Sequence, residues 1–362
     1  MATASSPDQI GFDFGAAFVA PETPRKVAPK RHTHHSTVAP IPSPSCTPVN
    51  DLEQAAKALE ESGQYRILRR LPVINHYPPC SPSDPSFRVA VVDTETTGLD
   101  PARERIIELS MLIVNINLVT GQPCGDVTCC GGLEDPKKPI PPEVIQLTGI
   151  DDAMVTGQHI DDVSVESALQ EVDVVVAHNA GFDRKFMEQR WPAFAELAWG
   201  CSVQDIPWKQ LGHGSVKLEF LAHEMGWFYD AHRAEIDCRA VLSLLSQPFK
   251  RTTAESPLQS QTGWQLLWQS VQQPTLRVQA TGSPFESKDV LRQAGYRWDA
   301  EERVWYRFIA APLMAQEALW LQESVYKGRD ATLAIETLDA TRRYSNRRGQ
   351  TDYESLSRWT EA

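Results

Sequence analysis

Residues 87–93, Phe-Arg-Val-Ala-Val-Val-Asp, form an apolar, β-branched run that closes on acids. A run of this kind suits a strand buried on both faces, which requires a sheet with helices packed against it. Asp93 and Glu95 stand two apart at its end, and a period of two puts both side chains on one side. Gly98-Leu99-Asp100-Pro101 then turns the chain. Residues 106–116 and 127–133 read as further strands and predict an antiparallel three-strand start.

Helical patterns alternate with strands from there. Pro141-Pro142-Glu143 opens a short helix, and 164–170 is another. Residues 172–177 read as a second buried strand, followed by a helix over 181–190 with Asp183 in its first turn. A short strand at 201–203 and helices over 217–225 and 234–245 complete an α/β layout with a mixed sheet. Farther on come a strand at 276–280, a helix at 288–294, a hairpin over 296–306 and a helix at 313–322, a small α+β unit.

The length of 362 residues suggests about two domains. Residues 1–50 are rich in Pro, Ser, Thr and Ala, and read as a disordered tail in which His32, His34 and His35 are merely polar. Residues 51–86 predict a helix capped by Asp51, then a Pro-rich connector. The α/β domain spans 87–249, a Gln- and Ser-rich linker 250–275, and the small unit 276–339. Residues 340–362, with Arg342, Arg343, Arg347 and Arg348, read as a flexible basic tail. Within the linker, residues 261–267 could be a peptide that docks a sliding clamp or polymerase. Trp298, Trp305 and Trp320 are expected in the small unit's core, while Arg297, Arg303 and Arg307 are open to nucleic acid.

No apolar run of about 18 residues exists, so no membrane contact is expected, and the N-terminus does not read as a signal peptide. Seven scattered cysteines without a framework spacing suit a reducing cytoplasm and argue against thiolate metal sites. The net charge is −12, and 87–249 alone holds 25 acidic against 12 basic residues, or −13. A long basic groove is not expected in that segment. A site whose cations supply the positive charge is compatible with it.

Three blocks carry chemistry: Asp93-Thr94-Glu95, Asp183 within His178-Asn179-Ala180-Gly181-Phe182-Asp183, and His232-Arg233-Ala234-Glu235-Ile236-Asp237. Paired carboxylates repel unless a hard cation such as Mg²⁺ or Mn²⁺ joins them. His232 and Asp237 are five apart and do not share a helix face. They converge if His232 lies on the loop before the helix, where an imidazole can take a proton from water.

As an ordered set the blocks resemble the DEDDh (DnaQ-like) 3′–5′ exonucleases, over about residues 65–245. Ile140-Pro141 and Leu147-Thr148-Gly149-Ile150 match as well. Cys238 stands where the family often has Ala and is expected to alter packing alone. The resemblance implies a ribonuclease H-like exonuclease domain holding two metal ions. Asp93 would bridge them, Glu95 and Asp237 would complete the first site, Asp183 would hold the second, and His232 would be general base. Thr94, Thr96 and Leu99 would touch the terminal nucleotide, with Asn179 a further contact. The substrate implied is the 3′ end of a single strand, DNA as the leading reading and RNA as the alternative. A replication or repair interaction module with a decayed site is the reading from another class, and the filled positions weigh against it.

Overall fold

The computed structural model describes residues 49–249 and 261–360. The expectations for residues 1–48 and for 250–260 lie outside the described residues. The chain divides into two units, 1–67 and 68–362. In the first, α1 (Val49–Glu61) begins earlier than expected, so Asp51 sits in its first turn rather than capping it.

The second unit begins with β1 (Arg69–Arg70), β2 (Ser86–Thr96), β3 (Ile106–Asn117) and β4 (Pro123–Leu133). Three short helices follow, α2 (Pro142–Thr148), α3 (Asp152–Val155) and α4 (Asp162–Leu169). Then come β5 (Val174–Ala177), α5 (Ala180–Arg190), β6 (Ala198–Cys201), α6 (Leu218–Glu224), β7 (Trp227–Phe228) and α7 (Ala234–Leu245). The sheet order is β4-β3-β2-β5-β6. β2 pairs antiparallel with β3 and parallel with β5, so the sheet is mixed, as expected of a ribonuclease H-like domain.

Alternation along β2 explains its central place. Val89 and Val91 enter one apolar cluster with α7, while Ala90 and Val92 enter another with Phe186 and Met187 of α5. Both faces are covered, so a strand this apolar is satisfied nowhere else. A bulge between Glu95 and Thr96 breaks the β2–β3 register just where the carboxylates emerge.

The expected linker holds a helix, α8 (Gly263–Val271), and it belongs to the α/β core. Thr262 and Gln265 form a reciprocal capping box at its start. Trp264 is fully buried, and Trp268 stacks on Phe87 at 4.3 Å. Residues 261–267 therefore present no free docking peptide: burial of Trp264, Leu266 and Leu267 has already claimed their apolar surface.

The last part contains β8 (Thr275–Gln279), α9 (Lys288–Gln293), β9 (Arg297–Asp299), β10 (Val304–Ala310), α10 (Met314–Trp320), β11 (Thr332–Leu338), β12 (Gln350–Ser355) and α11 (Ser357–Thr360). Its antiparallel sheet has the order β12-β11-β8-β10-β9. Trp305 and Trp320 pack on its core, but Trp298 lies on the edge strand and is 45% exposed.

The expected flexible basic tail is ordered as well. β12 pairs with β11, and the turn before it is stitched to the α/β domain. The Ala340 carbonyl accepts from the Trp199 amide at 2.8 Å, extending edge strand β6. Arg343 is buried and paired with Asp205 at 3.0 Å. Arg343 and Arg347 thus find carboxylates and carbonyls, while Arg342 and Arg348 pair with carboxylates and stay about half exposed.

Cys80 and Cys124 form a disulfide, against the expectation from their scattered spacing. The connector runs back along the start of β4, where the Tyr77 amide donates to the Gly125 carbonyl at 2.9 Å, and this brings the two together. No helix among the described residues is long and apolar enough to cross a membrane.

Candidate active site

β2 ends in the site, and its pleat sends Asp93 and Glu95 to one side. α7 packs on that same face of the sheet and brings Asp237 to them. Ligand oxygens of Asp93, Glu95 and Asp237 lie within 4.8 Å of one another. Burial raises all three carboxyls: Asp93 well above its ordinary value, Glu95 to about 8 and Asp237 to about 6. Neighbouring negative charge adds to the effect on Asp93 and Glu95. The neighbouring His232, then hydrogen bonds, partly offset it at Asp237, whose Oδ2 accepts from the Arg233 amide at 3.1 Å.

An oxygen-only cluster held this close is unfavourable until a cation neutralises it, and oxygen donors of this kind suit Mg²⁺ or Mn²⁺. The residues therefore fit a divalent metal.

Asp183 stands outside the group of three. It is buried in the first turn of α5, and its Oδ1 accepts from the Thr94 amide at 3.0 Å and the Thr94 hydroxyl at 2.8 Å. Its burial raises its carboxyl to about 7, against the lowering effect of Thr94. Its charge is among those raising Asp93, which places the two in one field. The Thr94 amide, expected to meet substrate, is committed to this bond instead.

The remaining expected contacts divide. Thr96 is buried and its hydroxyl donates to the Gly98 carbonyl at 2.7 Å, which shapes the turn. Leu99, on that turn, is 52% exposed and available for contact. Asn179 is the N-cap residue of α5 in a left-handed conformation, φ 76°, and its side chain makes no capping bond. His178 is locked by Ser202 and by the Val216 carbonyl, both at 2.8 Å, and burial pushes it down to about 4, so it is a neutral structural residue.

His232 lies on the loop before α7, as the spacing predicts, with φ 64°. Left-handed backbone in a residue with a Cβ persists only where its surroundings impose it. The residues that follow it are held by Glu108 and by Asp237. Glu108 faces Glu95 across the β2–β3 ladder and is 8% exposed. Its carboxylate accepts from the Arg233 guanidinium at 2.9 and 3.3 Å and from the Ala234 amide at 3.0 Å. It thus caps α7 from a different strand, since Arg233 supplies no side-chain cap. The sequence reading passed over Glu108. The available signal was a lone carboxylate in the otherwise uncharged strand 106–117.

β1 and β7 pair in parallel and anchor the segment leading to His232. On that segment the enclosed Tyr229 hydroxyl faces Asp237 without a well-formed hydrogen bond. Burial, then the Asp237 charge, raises its phenol. Cys238 is fully buried behind the site, its thiol 3.6 Å from the Ser110 carbonyl.

Residues 90–245 match the family model described as Exonuclease (RNase_T). DNA polymerase III subunit epsilon of Treponema pallidum (strain Nichols) is 31% identical over 163 residues, covering 42% of this chain and 73% of the relative. A PolC-type DNA polymerase III of Clostridium perfringens (strain 13 / Type A) is 29% identical over 171 residues, 46% of this chain and 11% of that protein. Among solved structures, exonuclease X in complex with 5′ overhanging duplex DNA covers 48% of this chain and 96% of its own, at 24% identity and a TM-score of 0.35. The chain belongs to the exonuclease family, among the DnaQ-like 3′–5′ exonucleases with a ribonuclease H-like fold and a dependence on divalent metal.

Proposed function

We propose that the chain removes nucleoside monophosphates from the 3′ end of single-stranded DNA, in proofreading or repair. The observation that carries the reading is the convergence of Asp93, Glu95 and Asp237, with His232 held on the adjoining loop. The match to a polymerase III subunit supports DNA as substrate and a polymerase as working partner.

Asp93, Glu95 and Asp237 would hold one ion and Asp183, through the carboxylate oxygen not engaged by Thr94, a second. Mg²⁺ or Mn²⁺ bound there supplies charge neutralisation and acidifies a water. The chain's own residues supply the rest. His232 takes the proton from the attacking water, and its left-handed loop fixes where that imidazole stands. Leu99 and Asn179 border the terminal nucleotide, and the turn at Thr96–Gly98 sets the position of Leu99.

The test is one assay of end-labelled single-stranded DNA, mismatched duplex and RNA, with Mg²⁺, Mn²⁺ or chelator. DNA shortened from its 3′ end only with metal is expected. Asp93→Ala is expected to abolish hydrolysis without unfolding, and His232→Ala to lose about 10²–10⁴-fold in rate. Full activity in Asp93→Ala, or cleavage in chelator, would sink the assignment.

A further inference from the structure

One face of the second sheet packs against α10; on the other, Arg277, Tyr306, Ala334 and Glu336 are buried while Tyr353, on β12, is exposed. Val278, Ile309 and Ile335 lie in the cluster that includes Met314 and Ala318 of α10. The opposite face carries a cross-strand row, fixed by register: Tyr353 of β12, Ala334 of β11, Gln279 of β8 and Tyr306 of β10. Ala334 is the small member. Tyr353 and Gln279 flank it two strand spacings, about 10 Å, apart, and Ala334 itself is buried.

A cavity of about 480 Å³ opens at this place, lined by Gln279, Glu302, Arg348, Thr351 and Tyr353. Tyr353 is 74% exposed, although a large aromatic ring left in water serves no packing purpose. Beneath the cavity Arg277 is buried and paired with Asp299 at 2.7 Å, Glu302 at 2.9 Å and Glu336 at 3.5 Å. Arg348 joins the same carboxylates, Glu302 at 2.8 Å and Glu336 at 3.6 Å.

Two guanidiniums against three carboxylates leave this cluster one charge negative. The cluster holds no surplus cation for a phosphate, and the exposed Tyr353 ring favours a flat group at the cavity mouth. Glu302, Gln279, Thr351 and Arg348 ring the cavity with both donors and acceptors, and Gln279 already donates to Glu302 at 2.8 Å. A stacking ring beside mixed donors and acceptors at a cavity mouth suits an unpaired nucleobase.

We infer that this slot binds one unpaired base of a single-stranded nucleic acid, outside the catalytic centre. The choice of ligand rests on the exonuclease reading; the slot itself does not.

The test uses the full chain in chelator, with a short single-stranded DNA carrying 2-aminopurine. Binding is expected to quench the probe. Tyr353→Ala should weaken binding about 5- to 150-fold, the range for loss of one base stack. Tyr353→Phe should bind as the parent does, and neither variant should change the unfolding temperature, because the side chain is exposed. Displacement by free dAMP at equal concentration would assign the slot to the base of a released nucleotide, and its failure to displace assigns it to the strand. Equal affinity in the parent and Tyr353→Ala, within about two-fold, overturns the proposal, as does equal loss in Tyr353→Phe. Asp93→Ala should keep Tyr353-sensitive binding while losing hydrolysis. Hydrolysis and quenching are read separately, so failure of the catalytic reading and failure of the slot are distinguishable.

Discussion

Glu108 shows how a residue with no contact to substrate can set the geometry of a site. It accepts three N–H bonds, from the Arg233 side chain and the Ala234 amide, immediately after His232. Arg233 is half exposed, so the ion pair by itself contributes little to stability. The consequence is positional: without the carboxylate, the orphaned start of α7 and the left-handed His232 lose their anchor. Glu108→Ala is expected to lower kcat by up to about 10²-fold, the scale of a small misplacement of a catalytic group. KM should change far less, since no substrate contact is removed. A matching rise in KM with unaltered kcat would show that Glu108 acts in binding instead. Glu108→Gln keeps an acceptor for the Ala234 amide and should recover part of the loss.

Among the elements, β2, α5 and α7 place four raised carboxyls in one region, and this has a sign. Glu95 sits at about 8, Asp183 at about 7 and Asp237 at about 6, against ordinary values of 4.5, 3.8 and 3.8. Over roughly pH 4–8 the folded chain therefore holds protons that the unfolded chain has released. Stability must fall as pH rises through that window, because the state binding more protons is weakened by their removal. The unfolding temperature of the metal-free protein is expected to be higher at pH 5 than at pH 8. Added Mn²⁺ should raise it more at pH 8, where the ligands must otherwise carry unneutralised charge. An unfolding temperature independent of pH across the window would refute the raising of these carboxyls by burial.

The legible elements were those with strong periodic signals. β2, β5 and α7 follow from apolar runs and from helical spacing, and the five candidate positions lie where those runs end. α8 was misread because its Gln- and Ser-rich surroundings resemble a linker, although Thr262-Gly-Trp-Gln265 spells a capping box. Glu108 and the Thr94–Asp183 bond were not legible, since they depend on register across strands and on one element reaching another. Truncating the buried Trp264 to Ala is expected to destabilise the fold by about 3–5 kcal/mol, as for other large core deletions. Denaturant titration of the variant reads this directly, and a change below about 1 kcal/mol, the central value for an ordinary point mutation, would return the segment to linker status.

At the scale of the whole second unit, the segment around 340–347 turns the small sheet into part of the nuclease. Arg184, the residue after Asp183, is fully buried; it pairs with Glu188 at 2.6 Å and donates to carbonyls of that segment, Arg343 at 2.6 Å and Thr341 at 2.5 Å. Arg343 in turn reaches Asp205 at 3.0 Å and the Trp199 carbonyl at 3.3 Å, and Tyr344 donates to Asp205 at 2.8 Å. Both members of the Arg343–Asp205 pair are almost wholly buried, with side chains 3% and 4% exposed. Removing one partner strands the other charge in the interior, which typically costs about 3–5 kcal/mol. Arg343→Ala should therefore shift the denaturant midpoint by an amount of that order. Arg343→Met combined with Asp205→Leu should recover much of it, because an apolar pair of similar bulk leaves no unpaired charge. The single variant should also lose hydrolytic activity at lower denaturant than the parent, since the clasp fixes α5 beside Asp183. Parent-like stability in Arg343→Ala would mean that the clasp is solvated in solution and that the two sheets fold independently.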